Sequence, residues 1–318
     1  MACGILIVNK PAGWTSQDVA AKLRGVFHEK RVGHGGTLDP MATGVLPIFV
    51  GRATRAVPYF EHADKEYEAV LRLGLVTDTQ DVTGRTLEEH PVDITQEQLE
   101  AVLPRFRGEI LQVPPMYSAI KVNGQKLYAL ARKGQEIERP ARPVTIHELA
   151  VVQATGNRQQ ATGNAGPAAP VPAGTGIGHP SEPPVNWTLR VHCSKGTYIR
   201  TLCHDIGQAL GCGGCMAELT RTRAGAYTLA QSHTMEEILA APDPEALLLP
   251  TDSLFSDRPA LTVSEAAEKK LRNGAPVPAQ KRPDGEYRVY SPGGGFLLLG
   301  ELRSGELRTV KSFFEVDS

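Results

Sequence analysis

Gly33-His34-Gly35-Gly36-Thr37-Leu38-Asp39-Pro40 is the stretch around which the chain is organised. Three glycines in four positions let the backbone approach a ligand closely, and the run ends in one carboxylate fixed by the proline after it. Asp39 in such a loop is a candidate nucleophile or base, although a Gly-rich run with an Asp is also what an ordinary turn contains. What raises it above a turn is its setting.

Working outward, residues 4–8 and 45–50 are apolar runs of strand length on either side of the loop. Thr15 and Asp18 carry the spacing of a capping box, and Val19, Leu23, Val26 and Phe27 follow at helical spacing. Residues 66–73 alternate, which turns Tyr67, Ala69, Leu71 and Leu73 to one face and predicts a strand with Tyr67 inward. Thr77–Asp81 is acidic but lacks the Gly and terminal Glu of a calcium loop, so it is predicted to be a turn, with a role in shaping a substrate site. Thr95 and Gln98 predict a second capped helix, a surface one, through Leu99, Val102, Leu103 and Phe106.

Strands are predicted at 143–153 and 187–193, and a helix capped by Thr197 carries Ile199, Leu202, Ile206 and Leu210 before stopping at Gly211. Arg200 falls in its first turn, where the helix dipole disfavours a cation, so an anionic partner is expected. Leu219 lies in a further strand. After Asp257-Arg-Pro259 comes a helix over 264–273 and short β runs at 286–290, 296–302 and 307–314.

Composition bounds the rest. The chain has 318 residues, 41% hydrophobic and 22% charged, enough for one large domain and a small one. No run reaches the length of a membrane span, Met1–Val8 lacks a basic leader, and five cysteines argue against a disulfide framework, so a cytoplasmic protein is expected. A formal charge of −1 announces no nucleic-acid partner. The local exception is 117–142, where Lys121, Lys126, Arg132, Lys133, Arg139 and Arg142 face only Glu136 and Glu138. Between 154 and 186, 12 of 33 residues are Gly or Pro, too few apolar groups to offset ordering entropy, and a flexible insertion is expected. Cys212-Gly-Gly-Cys215 has no second Cys pair, so no metal is expected there.

Five segments share a resemblance. Arg31–Pro47, Lys10–Ser16, Val113–Tyr128, Lys195–Arg200 and Glu218–Arg223 resemble the motifs of the TruB family of tRNA pseudouridine synthases. That family commonly has Leu-Arg-Arg where this chain has Leu219-Thr220-Arg221, so the first of its two arginines is replaced. The resemblance implies an α/β fold of the α+β type, with a mixed, largely antiparallel sheet flanked by helices. It divides the chain into a catalytic domain over 1–256, containing the 154–186 insertion, and a PUA-like RNA-binding β-barrel over 257–318.

The implied activity is conversion of the uridine at position 55, in the T-loop of tRNA, to pseudouridine on a flipped-out base. The resemblance makes Asp39 the nucleophile, or the carboxylate that assists glycosidic cleavage, and Arg200 its charge partner. It sets Tyr67 and Tyr198 around the base, Leu219 on the pocket wall and His34 in the space the base leaves, and counts Lys10 among the substrate-binding residues. An isomerisation without redox or hydrolysis calls for no cofactor. The implied partner is tRNA through its T-arm, with no membrane and a monomeric protein. Two alternatives are an RNA-binding or RNA-folding protein without chemistry, and a glycoside hydrolase. The latter wants a second facing acid that the Asp39 motif lacks.

Overall fold

Every residue from Ile5 to Val8 is at most 1% exposed in the computed structural model, because the strand Gly4–Lys10 is covered on both faces. It runs antiparallel to Thr43–Val50, from Gly4 opposite Val50 to Lys10 opposite Gly44, and parallel to the short strand His233–Thr234. The structure describes residues 2–118, 120–122, 124–131, 133–155, 186–279 and 282–314. These form two compact units, Met1–Ala63 with Arg221–Ser318, and Asp64–Thr220.

In the first unit the predicted capping box is present. Asp18 donates its backbone N–H to Thr15 Oγ1 at 3.0 Å, and the Thr15 N–H reaches back to Asp18 Oδ2 at 2.9 Å. The helix Ser16–Val26 that follows buries Val19, Ala20 and Leu23. The core of this unit gathers Ile5, Ile7, Phe49, Phe60, Tyr227 and Phe255 with Leu299 and Phe313. The boundary expected at 256/257 therefore lies inside one unit, since residues on both sides of it share this core.

The C-terminal β runs form a five-stranded sheet in the order Ala260–Thr262, Gly285–Tyr290, Phe296–Arg303, Glu306–Ser312, Val277–Pro278. Its first pair is parallel and the others antiparallel, over a second core that includes Leu271 of the Ser264-capped helix Glu265–Arg272. This arrangement fits the PUA-like module that the sequence implied.

The second unit is an antiparallel sheet in the order Lys65–Leu73, Asn186–Cys193, Arg142–Thr155, Gly108–Gln112. Tyr67, Ala69, Leu71 and Leu73 face inward as the alternation predicts, all at most 8% exposed. The helix over Gln96–Val102 is shorter than its apolar spacing predicts. Leu103–Phe106 continues as a 3₁₀ turn with Pro104 near its start, where an α-helix would lose a hydrogen bond. The insertion is described only at its ends, and 156–185 lie outside the described residues.

Tyr198, not Thr197, stands at the N-cap position of the helix Ile199–Leu210 and makes no side-chain capping bond, while Thr197 Oγ1 donates to the Ser194 carbonyl at 2.9 Å. It stops at Gly211, which is left-handed at φ +76°. A side chain at Gly207 would run into the backbone of Gly213 and Gly214, so the glycines of Cys212–Cys215 serve close packing of strand on helix. Cys212 and Cys215 are buried free thiols, and burial pushes Cys215 up to about 11. The strand Gly214–Ala224 opens in this unit and closes in the first.

Candidate active site

In the first unit the loop carrying Asp39 is held from both sides. Leu38 donates its N–H to Ser16 Oγ at 2.9 Å, so the first turn of the Ser16–Val26 helix fixes the residue before the carboxylate. The residue after it is fixed by Gly13 N–H, 2.8 Å from the Pro40 carbonyl, and by Lys10 Nζ, 3.2 Å from the same oxygen. Asp39 is itself half-buried, and its own carbonyl closes a turn by accepting from Ala42 N–H at 3.0 Å.

Lys10 is fully buried, and its ammonium also donates to the carbonyls of Trp14 at 2.6 Å and Pro11 at 2.9 Å. Burial lowers it to about 8, against the opposing pull of the Asp39 charge, with Arg221 lowering it further. A lysine with three carbonyl acceptors braces the turn and the Asp39 loop against each other, whereas the sequence placed it among the substrate contacts.

Burial first, and the Arg221 charge second, lower the pKa of His34. Its Nδ1 is buried and has no hydrogen-bond partner among the described residues. Arg221, 1% exposed, donates Nε to the Val45 carbonyl at 2.7 Å and NH2 to the Gly36 carbonyl at 3.2 Å. It ties the Gly-rich loop to the strand after it. Gly44, at φ +99°, is required for this approach, since any Cβ there would run into the Arg221 backbone.

In the second unit, Arg200 is 5% exposed, and the carboxylate of Asp81, not named among its expected partners, lies beside it. Asp81 Oδ2 lies 3.7 Å from its NH1, while NH1 and NH2 donate to the carbonyls of Thr79 at 3.1 Å and Tyr117 at 2.8 Å. Asp81 is buried as well, and its Oδ1 accepts from Thr79 Oγ1, Thr83 N–H and Thr83 Oγ1. The acidic run Thr77–Asp81 is thus a turn, and it also seats the arginine.

Tyr198 is positioned through its backbone. The Gln112 amide accepts from its N–H at 2.7 Å and donates to its carbonyl at 3.1 Å. Tyr67, 8% exposed, lies in Lys65–Leu73, and Leu219, 7% exposed, in Gly214–Ala224.

The structure therefore brings Lys10, His34 and Asp39 into one unit and carries Tyr67, Tyr198, Arg200 and Leu219 in the other. Arg221, Asp81 and Gln112 were not among the residues read as functional. Arg221 and Asp81 stood in segments already singled out, whereas Gln112 lies one residue before the Val113–Tyr128 segment. Of the expected basic patch, Arg132 and the side chains of Lys121 and Lys126 lie outside the described residues. Lys133 and Arg142 are exposed, and Arg139 is bonded to Glu136 at 3.1 Å. No helix among the described residues is long and apolar enough to cross a membrane.

Three family models match along the chain. They are described as TruB family pseudouridylate synthase (N terminal domain) over residues 24–166, tRNA pseudouridylate synthase B C-terminal domain over 200–256, and Pseudouridine synthase II TruB, C-terminal, over 259–310. Curated proteins named tRNA pseudouridine synthase B are similar over nearly the whole chain. The one from Stutzerimonas stutzeri is 43% identical, covering 94% of this chain and 91% of its own length. The one from Azoarcus sp. is 41% identical, with 96% and 93% covered.

Among solved structures, a chain of a Cbf5-Nop10-Gar1 complex aligns with a TM-score of 0.67 at 24% identity, over 98% of this chain and 85% of that one. A chain of an H/ACA RNP bound to a substrate RNA containing 2'-deoxyuridine aligns at 0.66 and 21%, with the same coverage. At those identities the likeness establishes the fold alone. The identity to curated relatives across 94% of the sequence is what shows that the chain belongs to the TruB family of pseudouridylate synthases.

Proposed function

We propose that this protein isomerises a uridine of tRNA, at position 55 in the T-loop, to pseudouridine, with Asp39 as the nucleophile. The observation that carries this is the fixing of Asp39. The residues before and after it are held by Ser16, Gly13 and the Lys10 ammonium, so the carboxylate is presented from a backbone with little freedom. Such preorganisation is what a reacting group needs. Membership of the TruB family, and relatives named tRNA pseudouridine synthase B, support the substrate class.

In the reaction the bond between N1 of uracil and C1′ of the ribose breaks, the base turns, and C5 bonds to C1′. The C5 proton leaves and N1 takes one up, so atoms balance with no cofactor. The target base leaves its stack to reach the carboxylate. The family resemblance assigns Arg200 to keeping the nucleophile ionised, Tyr67, Tyr198 and Leu219 to enclosing the base, and His34 to the space it vacates. The RNA is held through the T-arm by a monomeric protein.

The test is Asp39→Asn. Pseudouridine mapping in a tRNA transcript should show product formation abolished, while the Kd for tRNA stays within about tenfold, because most affinity comes from phosphate and shape contacts. Turnover near the unmodified rate would overturn the assignment.

A further inference from the structure

Asp64, His147 and His192 are not among the residues assigned to the chemistry, and all three lie in the Asp64–Thr220 unit. The register between Arg142–Thr155 and Asn186–Cys193 passes from Ile146 opposite Cys193 to Glu148 opposite His192, which leaves His147 as the extra residue of a bulge. Its imidazole lies beside that of His192, with ring centroids 4.7 Å apart. Asp64, the residue before the strand Lys65–Leu73, places Oδ2 at 3.3 Å from His147 Nε2 and 3.8 Å from His192 Nε2. One ligand atom from each of the three lies within 4.8 Å of the others.

We infer that these three side chains form a surface site for a divalent first-row transition-metal ion of the zinc class. Ligand bonds of about 2.0–2.2 Å around a tetrahedral ion set donor atoms roughly 3.3–3.6 Å apart. One observed spacing is already in that range and another needs a few tenths of an ångström. Side chains that are 26–42% exposed can make that adjustment. Two imidazoles and a carboxylate suit zinc, nickel, cobalt or copper, and not the all-oxygen preference of magnesium or calcium.

Two neighbouring carboxylates differ in what they offer. Glu66 stands directly opposite His192 in register and adds negative charge beside the site. Glu148 is engaged by Arg190 at 2.7 and 3.0 Å. The remaining coordination positions open to solvent, so the bound ion acts as a clamp. It joins the start of Lys65–Leu73 to Arg142–Thr155 and Asn186–Cys193.

Isothermal titration of Zn²⁺ into the full, tag-free chain at pH 7.5 should give one site per chain. His147→Ala or His192→Ala should each weaken it by more than about tenfold, the scale already attached to outer-shell partners of metal ligands. Affinity should fall at least about tenfold at pH 5.5, because protons compete with the metal for its ligand atoms. Zn²⁺ should raise the Tm of the parent and not of the double variant.

Cobalt substitution separates this site from the cysteines, because the expected complex lacks thiolate charge-transfer absorption. If an alanine variant fails to show a cooperative thermal transition, His147→Gln and Asp64→Asn replace it, as each keeps a hydrogen-bonding side chain of similar size. Absence of stoichiometric binding, full binding in a folded double variant, or a thiolate-type cobalt spectrum would each overturn the inference.

Discussion

Replacing Lys10 by methionine keeps the length of the side chain and removes the ammonium that braces the Asp39 loop. Two opposing quantities set the result. A fall in pKa from 10.5 to about 8 means that the buried site disfavours the charged form by roughly 3.4 kcal/mol relative to water. Against this stand three N–H···O bonds, to the carbonyls of Pro11, Trp14 and Pro40. Bonds from a charged donor contribute about 1.5–3 kcal/mol each, and their loss leaves partly buried acceptors unpaired. A pKa below the ordinary lysine value means that burial outweighs those bonds in holding the charge, so the cost of Lys10→Met at pH 7 comes from the carbonyls left unpaired and is about 1–3 kcal/mol.

For a chain of this size that is a fall in Tm of roughly 2–5 °C. The pH dependence has a fixed sign. Between pH 8 and about 10.5 the unfolded chain holds the Lys10 proton while the folded chain releases it, so the stability of the parent rises with pH in this window. The gap between parent and variant should therefore widen as pH rises from 7.5 to 10, by up to about 3 kcal/mol. Differential scanning calorimetry of both proteins across that range is the assay. A gap that stays constant or narrows, or a variant as stable as the parent at pH 7.5, would refute the reasoning.

Asp81→Asn keeps the loop's hydrogen-bonding shape and removes the carboxylate 3.7 Å from Arg200. Leaving that buried guanidinium with a weaker partner should cost about 2–3 kcal/mol in thermal stability and lower kcat for pseudouridine formation. An unchanged Tm would show that Arg200 is neutralised by another group. Truncation after Ser256 removes Leu299 and Phe313 from the core that holds Phe49, Phe60 and Phe255. The shortened chain should lose its cooperative calorimetric transition, in contrast to a tail that only adds tRNA affinity and raises KM. A cooperative transition at the parent's Tm would mean that the remaining residues fold alone.

Much of the local structure was legible because it depends on neighbours in sequence. Alternation over 66–73 turned Tyr67 inward, and the Thr15–Asp18 spacing started a helix, since both follow from the period of the backbone. Where reading failed, a nearby competitor had intervened. Thr197 bonds back to Ser194 and does not cap, and Pro104 converts the end of a predicted helix into a 3₁₀ turn. The alternation read over 143–153 is broken at His147 and again between Val151 and Gln153, and these bulges cannot be seen from one strand without its partner.

The sequence by itself therefore determined the elements, the family motifs, and Asp39 as the carboxylate of a stiff loop. Tertiary structure decided what holds the candidate residues in place. Lys10 spans 30 positions to reach Pro40, Gln112 spans 86 to clamp Tyr198, and Arg221 spans 176 to reach Val45. It also decided that residues on both sides of position 256 share one core, and that His147 meets Asp64 and His192. The physical reason is that periodicity records only whether a side chain points inward. Which distant carbonyl or carboxylate meets a buried cation depends on strand register, bulges and the packing of whole elements, and these are set by the folded chain as a unit.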